Sequence, residues 1–371
     1  MQAEKKTVLV TGGAGFIGSH TCLALLRRGY SVIAFDNLSN SSLDTLNNVA
    51  YLAGLQQDCE GSWHHSHAST RLYFFHGDVR SGAELDRAFA LPEQNVAGVI
   101  HFAGLKSINH SQKDPLNYWS VNTSGTIELL QAMRRSRCKL LIFSSTAAVY
   151  GDTTDVPIPE TTAVKPLNPY ARSKAAVEQL LADLSSSELD WKLLSLRYFN
   201  PIGAHPSGRL GENPRSSPTN LFPVLCEVAL GVRQCLEIYG DDWPTEDGTG
   251  IRDFLHVQDL AEGHCLALNH LLDGRECPPQ LNLGTGSGCS VFELVRCFER
   301  VTGTRIAYTI SPRRDGDVAT SVADPSLAES ALGWKTCRGL EDMCRDGWKW
   351  ALNNQEEIRS RGRESGDVTA N

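Results

Sequence analysis

The sequence predicts an α/β protein built on a doubly wound parallel sheet, with a smaller, discontinuous α/β lobe attached. Two observations carry this. Short apolar runs rich in β-branched residues alternate with helical patterns through the first half of the chain, which specifies a parallel sheet covered on both faces. After Asn200 the texture changes to long loops, and the chain then returns briefly to the sheet pattern.

Thr7–Thr11, Ser31–Asp36, Arg71–His76, Val96–Phe102, Lys139–Ser144 and Lys192–Phe199 are the expected strands. Helices are expected over Ser19–Arg28, Ala83–Phe89, Pro115–Arg135 and Pro169–Ser187. A sheet of this kind binds its ligand at the carboxyl ends of its strands. Pro201–Pro218 is rich in Gly, Pro and Ser, and Asp241–Gly250 is polar, so both are loops leaving the sheet. Helix Val257–Leu272 and strand Gln280–Leu283 bring the chain back. The domains that follow are a sheet domain over 1–200, rejoined by about 255–290, and a lobe over 201–254 and 291–353. Gln57–Thr70 looks like an insertion, and 354–371 like a charged, frayed tail.

Composition narrows the function classes. With 371 residues, 41% hydrophobic, the chain can bury a substantial core in one large domain or two. A net charge of −8 speaks against nucleic acid as a bulk electrostatic partner, but a few arginines in a cleft would still serve an anionic small molecule. The eleven cysteines are odd in number and include no C-x-x-C pair, which suits a reduced cytosolic compartment. Thr7–Thr11 passes straight into a glycine turn, leaving no room for a signal peptide, and no run reaches transmembrane length. A soluble, cytoplasmic protein is the expectation.

Val8–Val10 leads into Thr11-Gly12-Gly13-Ala14-Gly15-Phe16-Ile17-Gly18, which opens a helix. Gly12, Gly15 and Gly18 let the backbone turn tightly and approach a pyrophosphate, whose charge rests on the helix N-terminus beside Phe16 and Ile17. The position between strand and helix makes this signal far stronger than the glycine spacing alone. Asp36 ends the second strand, where a carboxylate accepts hydrogen bonds from ribose hydroxyls and repels a 2′-phosphate. NAD is therefore expected rather than NADP; an Asp that only caps the next turn is the alternative. Asp78-Val79 and Phe102-Ala103-Gly104-Leu105-Lys106 occupy the matching ends of the third and fourth strands; a turn residue only is the alternative for Asp78, whose place at a sheet carboxyl end favours an adenine contact.

Tyr170-Ala171-Arg172-Ser173-Lys174 begins a helix announced by Asn168-Pro169, a good cap and first-position pair. Tyr170 and Lys174, four apart, share one helix face. A phenol with a pKa of about 10 is a poor base at neutral pH, and bringing it to about 7 needs roughly 4 kcal/mol of differential stabilisation. A lysine ammonium and an oxidised nicotinamide both favour phenolate. Y-x-x-x-K alone is a common accident, with a surface tyrosine and a solvated lysine as the default. Here it follows Phe143-Ser144-Ser145-Thr146 at the end of the fifth strand, where Thr146 can hold a reacting hydroxyl while Tyr170 removes its proton.

With these motifs in view, the chain resembles the UDP-galactose 4-epimerases, of the extended short-chain dehydrogenase/reductase family, over nearly its whole length. The resemblance is carried by TGGAGFIGSH at 11–20, HFAGLKS at 101–107, FSSTAAVYGD at 143–152, NPYARSKAAVEQ at 168–179, LRYFNPIGAHPSG at 196–208, PTEDGTGIRDFLHVQDLA at 244–261 and PRRDGD at 312–317. It implies a Rossmann-type NAD-binding domain and a UDP-sugar-binding lobe. It implies reversible, redox-neutral 4-epimerisation of UDP-glucose and UDP-galactose through a 4-keto intermediate, in galactose metabolism: Tyr170 takes the C4 hydroxyl proton, hydride passes to bound NAD, the ketone turns over, and hydride returns to its other face. Such a route holds the nucleotide firmly and the hexose loosely. By the same resemblance Asn37, Lys106, Asn122, Ser144 and Phe199 join the cofactor contacts, and Lys106, Asn200, Asn220 and Leu221 touch substrate. Glu237-Ile238-Tyr239 lies on the uracil, while Arg252, Arg314 and Asp317 hold diphosphate and ribose; an arginine fork suits phosphate oxygens. Without the flanking match, Arg313-Arg314 would be a solvated basic loop. A homodimer through the helices beginning near Pro115 and Pro169 is also implied.

Several positions discriminate among related chemistries. Sugar-nucleotide 4,6-dehydratases need an acid–base pair after the fifth-strand Thr, and this chain has Ala147-Ala148 there. The family position beside the sugar's C2 substituent is Ser321, whose small size leaves room for an N-acetyl group, so UDP-N-acetylglucosamine and UDP-N-acetylgalactosamine are expected substrates too. A UDP-pentose 4-epimerase stays open, because C4 chemistry is indifferent to C6; so does a non-catalytic NAD sensor, although it would not need the arginines. His64, His65 and His67 lack cysteine or carboxylate partners at ligand spacing and look like a solvated loop, so no metal is expected. Cys289 and Cys297, and Trp348 and Trp350 in the last helix, are taken as packing residues.

Overall fold

A computed structural model of the chain describes residues 6–58, 61–65, 68–91 and 95–366. Its main sheet has nine strands, in the order Gln280–Leu283, Lys192–Tyr198, Leu140–Thr146, Val96–His101, Thr7–Thr11, Ser31–Asp36, Ala68–His76, Trp63–His65 and Gln56–Gln57. The first seven in that order run parallel, and the chain reverses its direction of travel across the sheet at the central strand Thr7–Thr11. That reversal opens a crevice at the strand carboxyl ends between Thr7–Thr11 and Val96–His101.

Burial explains the apolar strand runs. Val8, Leu9 and Val10 are fully buried, as are Ile33, Ala34, Leu141 and Ile142, because helices cover both sheet faces. On one face Leu25, Leu260 and Leu268 pack against Val8 and Val10; on the other Leu129, Met133 and Val177 pack against Leu9, Ile33 and Leu141. Helix Pro169–Ser187 starts at the expected residue because Asn168 accepts the Ala171 N–H at 2.9 Å and Pro169 needs no N–H partner. The first helix begins earlier than expected, at Phe16, since Gly15 serves as its N-cap.

Three expectations are corrected. The insertion is not a solvated loop: Gln56–Gln57 and Trp63–His65 pair antiparallel and extend the sheet, with Trp63 buried in the core. His64 Nδ1 lies 3.8 Å from the Asp58 carboxylate, a partner that strand pairing supplies and sequence spacing conceals; His67 lies outside the described residues. Pro115–Arg135 is not one α-helix, because Trp119–Ser124 forms a π-helical turn between helices Pro115–Tyr118 and Gly125–Arg135. The segment expected to fray is helical over Gln355–Gly366, with Ile358 buried in the lobe core; residues 367–371 lie outside the described residues. Trp348 and Trp350 therefore belong to the penultimate helix, Leu340–Asn353, where they pack into that core.

The lobe core joins Ile202, Phe222, Leu225, Ile238, Leu294, Phe298 and Met343. Its strands form small sheets: Leu236–Tyr239 beside Tyr308–Ser311, and Ile251–Arg252 between Cys289–Ser290 and Thr320–Ser321. Asn200–Ile202 pairs with Phe254–His256 where the chain passes between sheet and lobe. No helix of the described residues is long and apolar enough to cross a membrane.

Candidate active site

The glycine turn is a cradle that side chains would fill. Gly12 has φ +68, and a Cβ there would stand 2.7 Å from Ala103 N on the neighbouring strand end. A Cβ on Gly18 would collide with the Gly12 carbonyl. Gly15 caps the Phe16–Arg27 helix with no side-chain bond, so the amides of Phe16 and Ile17 open the helix toward the crevice. A pyrophosphate fits that geometry.

Asp36 is buried and accepts hydrogen bonds from Ala14 N at 3.0 Å, Leu38 N at 2.9 Å and Ser41 Oγ at 3.0 Å. It both caps the following turn, in which Leu38 takes φ 54, and ties that turn to the glycine loop. Asn37 Nδ2 donates to Asp78 at 3.1 Å, while Arg80 grips the same carboxylate at 2.7 and 2.9 Å and draws its pKa down to about 2. Asp78 is thus committed to Arg80, which sequence reasoning missed. Val79 is buried against the sheet.

The fourth strand end is fixed from below. Thr11 Oγ1 and Thr126 Oγ1 hold the two nitrogens of buried His101, at 2.6 and 2.9 Å. Phe102 packs 4.7 Å from the His264 ring. The π-turn places Asn122, fully enclosed, so that Oδ1 accepts Leu105 N at 2.8 Å while Nδ2 donates to Leu105 O at 3.1 Å and Ser173 Oγ at 3.0 Å. One side chain therefore holds Gly104-Leu105-Lys106 against the Tyr170 helix.

At the fifth strand end, burial raises the Tyr170 pKa above that of an ordinary phenol, and the hydrogen bond to the Thr146 hydroxyl opposes this. Lys174 donates to Ser144 O at 2.8 Å, and its Nζ lies 4.8 Å over the Phe143 ring. Burial lowers its pKa to about 8, while the Glu178 carboxylate acts the other way. Ser144 bonds Tyr198, whose phenol burial also raises. Glu178, one turn beyond Lys174, forms a buried ion pair with Arg197, Nε to Oε1 at 2.9 Å, and accepts Ser145 Oγ. This pair under helix Pro169–Ser187 gave no signal in the motif reading; Glu178 lies within AAVEQ but carried no expected role.

The lobe side divides into two groups. Arg252 and Ser321 are register partners on adjacent strands, and burial lowers the Arg252 pKa, an effect that Asp317 opposes. Arg314 Nε donates to Asp317 at 3.0 Å, and its guanidinium stacks 4.3 Å from the Tyr239 ring. Arg313 turns away to Asp242 and Trp243. Glu237 is exposed and accepts Tyr239 OH and Ser311 Oγ, both at 2.6 Å, with Ile238 buried beneath. The second group lies where the chain leaves the main sheet for the lobe. Asn200 pairs its N–H with Asp253 O at 2.9 Å, buried Phe199 precedes it, and Asn220 caps helix Leu221–Ala229. Glu212, absent from the sequence expectations, bridges Lys106 at 2.6 Å and Asn220 at 3.1 Å.

The chain is similar to known proteins over nearly its whole length. The family described as the NAD dependent epimerase/dehydratase family matches residues 8–284. The UDP-glucose 4-epimerase of Bacillus subtilis (strain 168) is 45% identical over 353 residues, covering 95% of this chain and 99% of that protein. A bifunctional UDP-glucose 4-epimerase and UDP-xylose 4-epimerase of Pisum sativum is 43% identical, with 95% and 98% covered. The crystal structure of UDP-glucose 4-epimerase from Bifidobacterium longum, in complex with NAD+ and UDP, superposes with a TM-score of 0.87 at 43% identity over 94% of this chain and 99% of that one.

Proposed function

The chain belongs to the NAD dependent epimerase/dehydratase family and is an NAD-dependent epimerase, and we propose that it interconverts UDP-glucose and UDP-galactose at C4 with Tyr170 as the base. The observation that carries the residue assignment is the placement of Tyr170 one helical turn before Lys174, whose Nζ is anchored on Ser144 O at 2.8 Å beside the strand end that carries Thr146. NAD, when bound, supplies a hydride acceptor and donor for the sugar C4. Gly12, Gly15, Gly18, Asp36 and Asn37 would hold it, with Lys174 anchored on Ser144 O so that its ammonium stays fixed beneath Tyr170.

Each side chain then has a defined task. Thr146 orients the C4 hydroxyl, and Tyr170 accepts its proton in one direction and returns it in the other. Arg252 and Arg314 bind diphosphate, Tyr239 stacks on the uracil end, and the hexose itself is left with few fixed partners, so either face of the ketone can be presented. Ala147 and Ala148, in the short turn after Thr146, have no proton to give, which disfavours elimination.

Ser321, beside Arg252, leaves space for an acetamido group, which supports turnover of UDP-N-acetylglucosamine and UDP-N-acetylgalactosamine as well. Activity on UDP-pentoses is a second reading, favoured by the bifunctional Pisum sativum relative. A role in galactose metabolism follows from the main reaction. Free thiols at every described cysteine fit the cytoplasm. Exposed Leu116, Trp119 and Ile127 on the Pro115–Arg135 segment support a homodimer through that face.

The test is incubation with UDP-galactose without added NAD, following the C4 configuration by proton NMR, with Tyr170→Phe alongside. Conversion to UDP-glucose by the unaltered enzyme and its loss in the variant is the expected result. Conversion that survives in Tyr170→Phe would remove the tyrosine base.

A further inference from the structure

Glu212 lies on the loop that leaves the sheet after Asn200, and its carboxylate closes a gap between two segments far apart in sequence. One oxygen, Oε1, accepts both Lys106 Nζ at 2.6 Å and Asn220 Nδ2 at 3.1 Å. Lys106 ends the loop after the fourth strand, which Asn122 holds, and Asn220 is the N-cap of Leu221–Ala229. The Glu212 side chain is 12% exposed against 53% for Lys106, and Glu212 lines a small cavity together with Phe222 and Trp350.

The Asn220 side chain makes a telling choice. An asparagine at an N-cap ordinarily accepts a backbone N–H of its own helix. Here it makes no cap bond and donates to Glu212 instead, leaving the first helical amides for something else. The cleft therefore contains a cation and a helix N-terminus, both favourable to an anion, with a carboxylate placed between them.

We propose that Glu212 is a positioning residue that sets the charge of the sugar-nucleotide cleft, neutralising Lys106 and turning Asn220 off its helix so that a diphosphate is held but still released. This rests on the function proposed above only in naming the diphosphate as the ligand. Removing the carboxylate's charge leaves Lys106 uncompensated, and a nucleoside diphosphate should then bind more tightly. A carboxylate that served only as a strut would have the opposite effect, since its loss would loosen the cleft.

The probe is UDP, titrated by calorimetry into the NAD-containing protein. Glu212→Gln should lower its Kd about ten-fold and Lys106→Met raise it about ten-fold, the scale of one unit charge across a solvated cleft; the double variant should return to near the unaltered value. The gap between Glu212→Gln and the unaltered protein should narrow at high salt, a response a strut would not give. The KM for UDP-galactose should fall in Glu212→Gln without a rise in kcat. Unchanged or weaker UDP binding by Glu212→Gln, at full NAD content and unchanged Tm, overturns the proposal, and so does tighter binding that is indifferent to salt. The calorimetry needs no turnover, so a protein inactive on UDP-galactose would remove the proposed function while leaving this result to stand or fall separately.

Discussion

Replacing Lys174 with methionine should abolish most activity and yet stabilise the protein at neutral pH. Burial in the fold lowers the lysine's pKa from 10.5 to about 8, so holding it protonated costs free energy in the folded state. At about 1.36 kcal/mol per unit the penalty is at most roughly 3 kcal/mol. The bond to Ser144 O is lost in the variant and offsets about 1–2 kcal/mol of that gain. A net stabilisation of about 1–2 kcal/mol remains, equivalent to a Tm rise of roughly 2 °C for a chain of this length.

The sign and the pH window follow from linkage. The folded pKa lies below the unfolded one, so the unfolded state binds more protons between about pH 8 and 10.5, and stability rises with pH there. The penalty is complete below about pH 8, where both states are protonated. The advantage of Lys174→Met should therefore be greatest near pH 7 and shrink as pH rises from 8 toward 10. Urea unfolding at several pH values, with NAD content monitored, measures this. A Lys174→Met variant less stable than the parent at pH 7, or an advantage that grows with pH, would refute the reasoning.

Other changes should separate packing from chemistry. Glu178→Gln breaks the buried pair with Arg197 and leaves that cation uncompensated, so a loss of about 3–5 kcal/mol is expected by urea unfolding. It also removes the charge that raises the Lys174 pKa, so that pKa should fall further. Ser321→Tyr should lower kcat/KM for UDP-N-acetylglucosamine by roughly ten-fold or more while UDP-galactose stays within about three-fold; equal losses on both would make Ser321 a general packing site. His264 is fully buried with a pKa lowered to about 4, so the stability it contributes is present above pH 6.5 and lost as pH falls toward 4. Between pH 7 and 5 that single group accounts for about 2 kcal/mol, and His264→Phe should show a correspondingly shallower decline in chemical denaturation.

What was legible in the sequence depended on how local its cause was. Helix Pro169–Ser187 was readable to the residue because its cap and first proline are neighbours in the chain, and Val257–Leu272 and Gln280–Leu283 were equally readable from their apolar patterns. The glycine loop was legible because its constraint is a close backbone approach that only glycine permits, now seen at Gly12 against Ala103. The hairpin after Gln56 was missed because its polar residues lack a repeating pattern, and a single large apolar residue, Trp63, anchors it to the sheet. The π-turn at Trp119–Ser124 was missed for a different reason: helical periodicity carries no mark of one extra residue per turn, and only the need to aim Asn122 at Leu105 and Ser173 makes sense of it.

The same distinction explains which site residues the motifs left out. Arg80 holds Asp78 from two residues away, but nothing in an Asp-Val-Arg run says that the arginine will turn back. Arg197 and Glu178 meet only because strand Lys192–Tyr198 lies beside strand Leu140–Thr146 and the Tyr170 helix crosses both. Glu212 meets Lys106 across a separation of 106 residues, from a loop whose glycines and prolines announce irregular chain and nothing more. Tyr170 and Lys174 carry a motif because one helix sets their spacing, and the glycine loop does because one turn sets its own. The polar partners around them, Glu178, Arg197 and Glu212 among them, are brought together by the sheet order, and that order is a property of the fold as a whole.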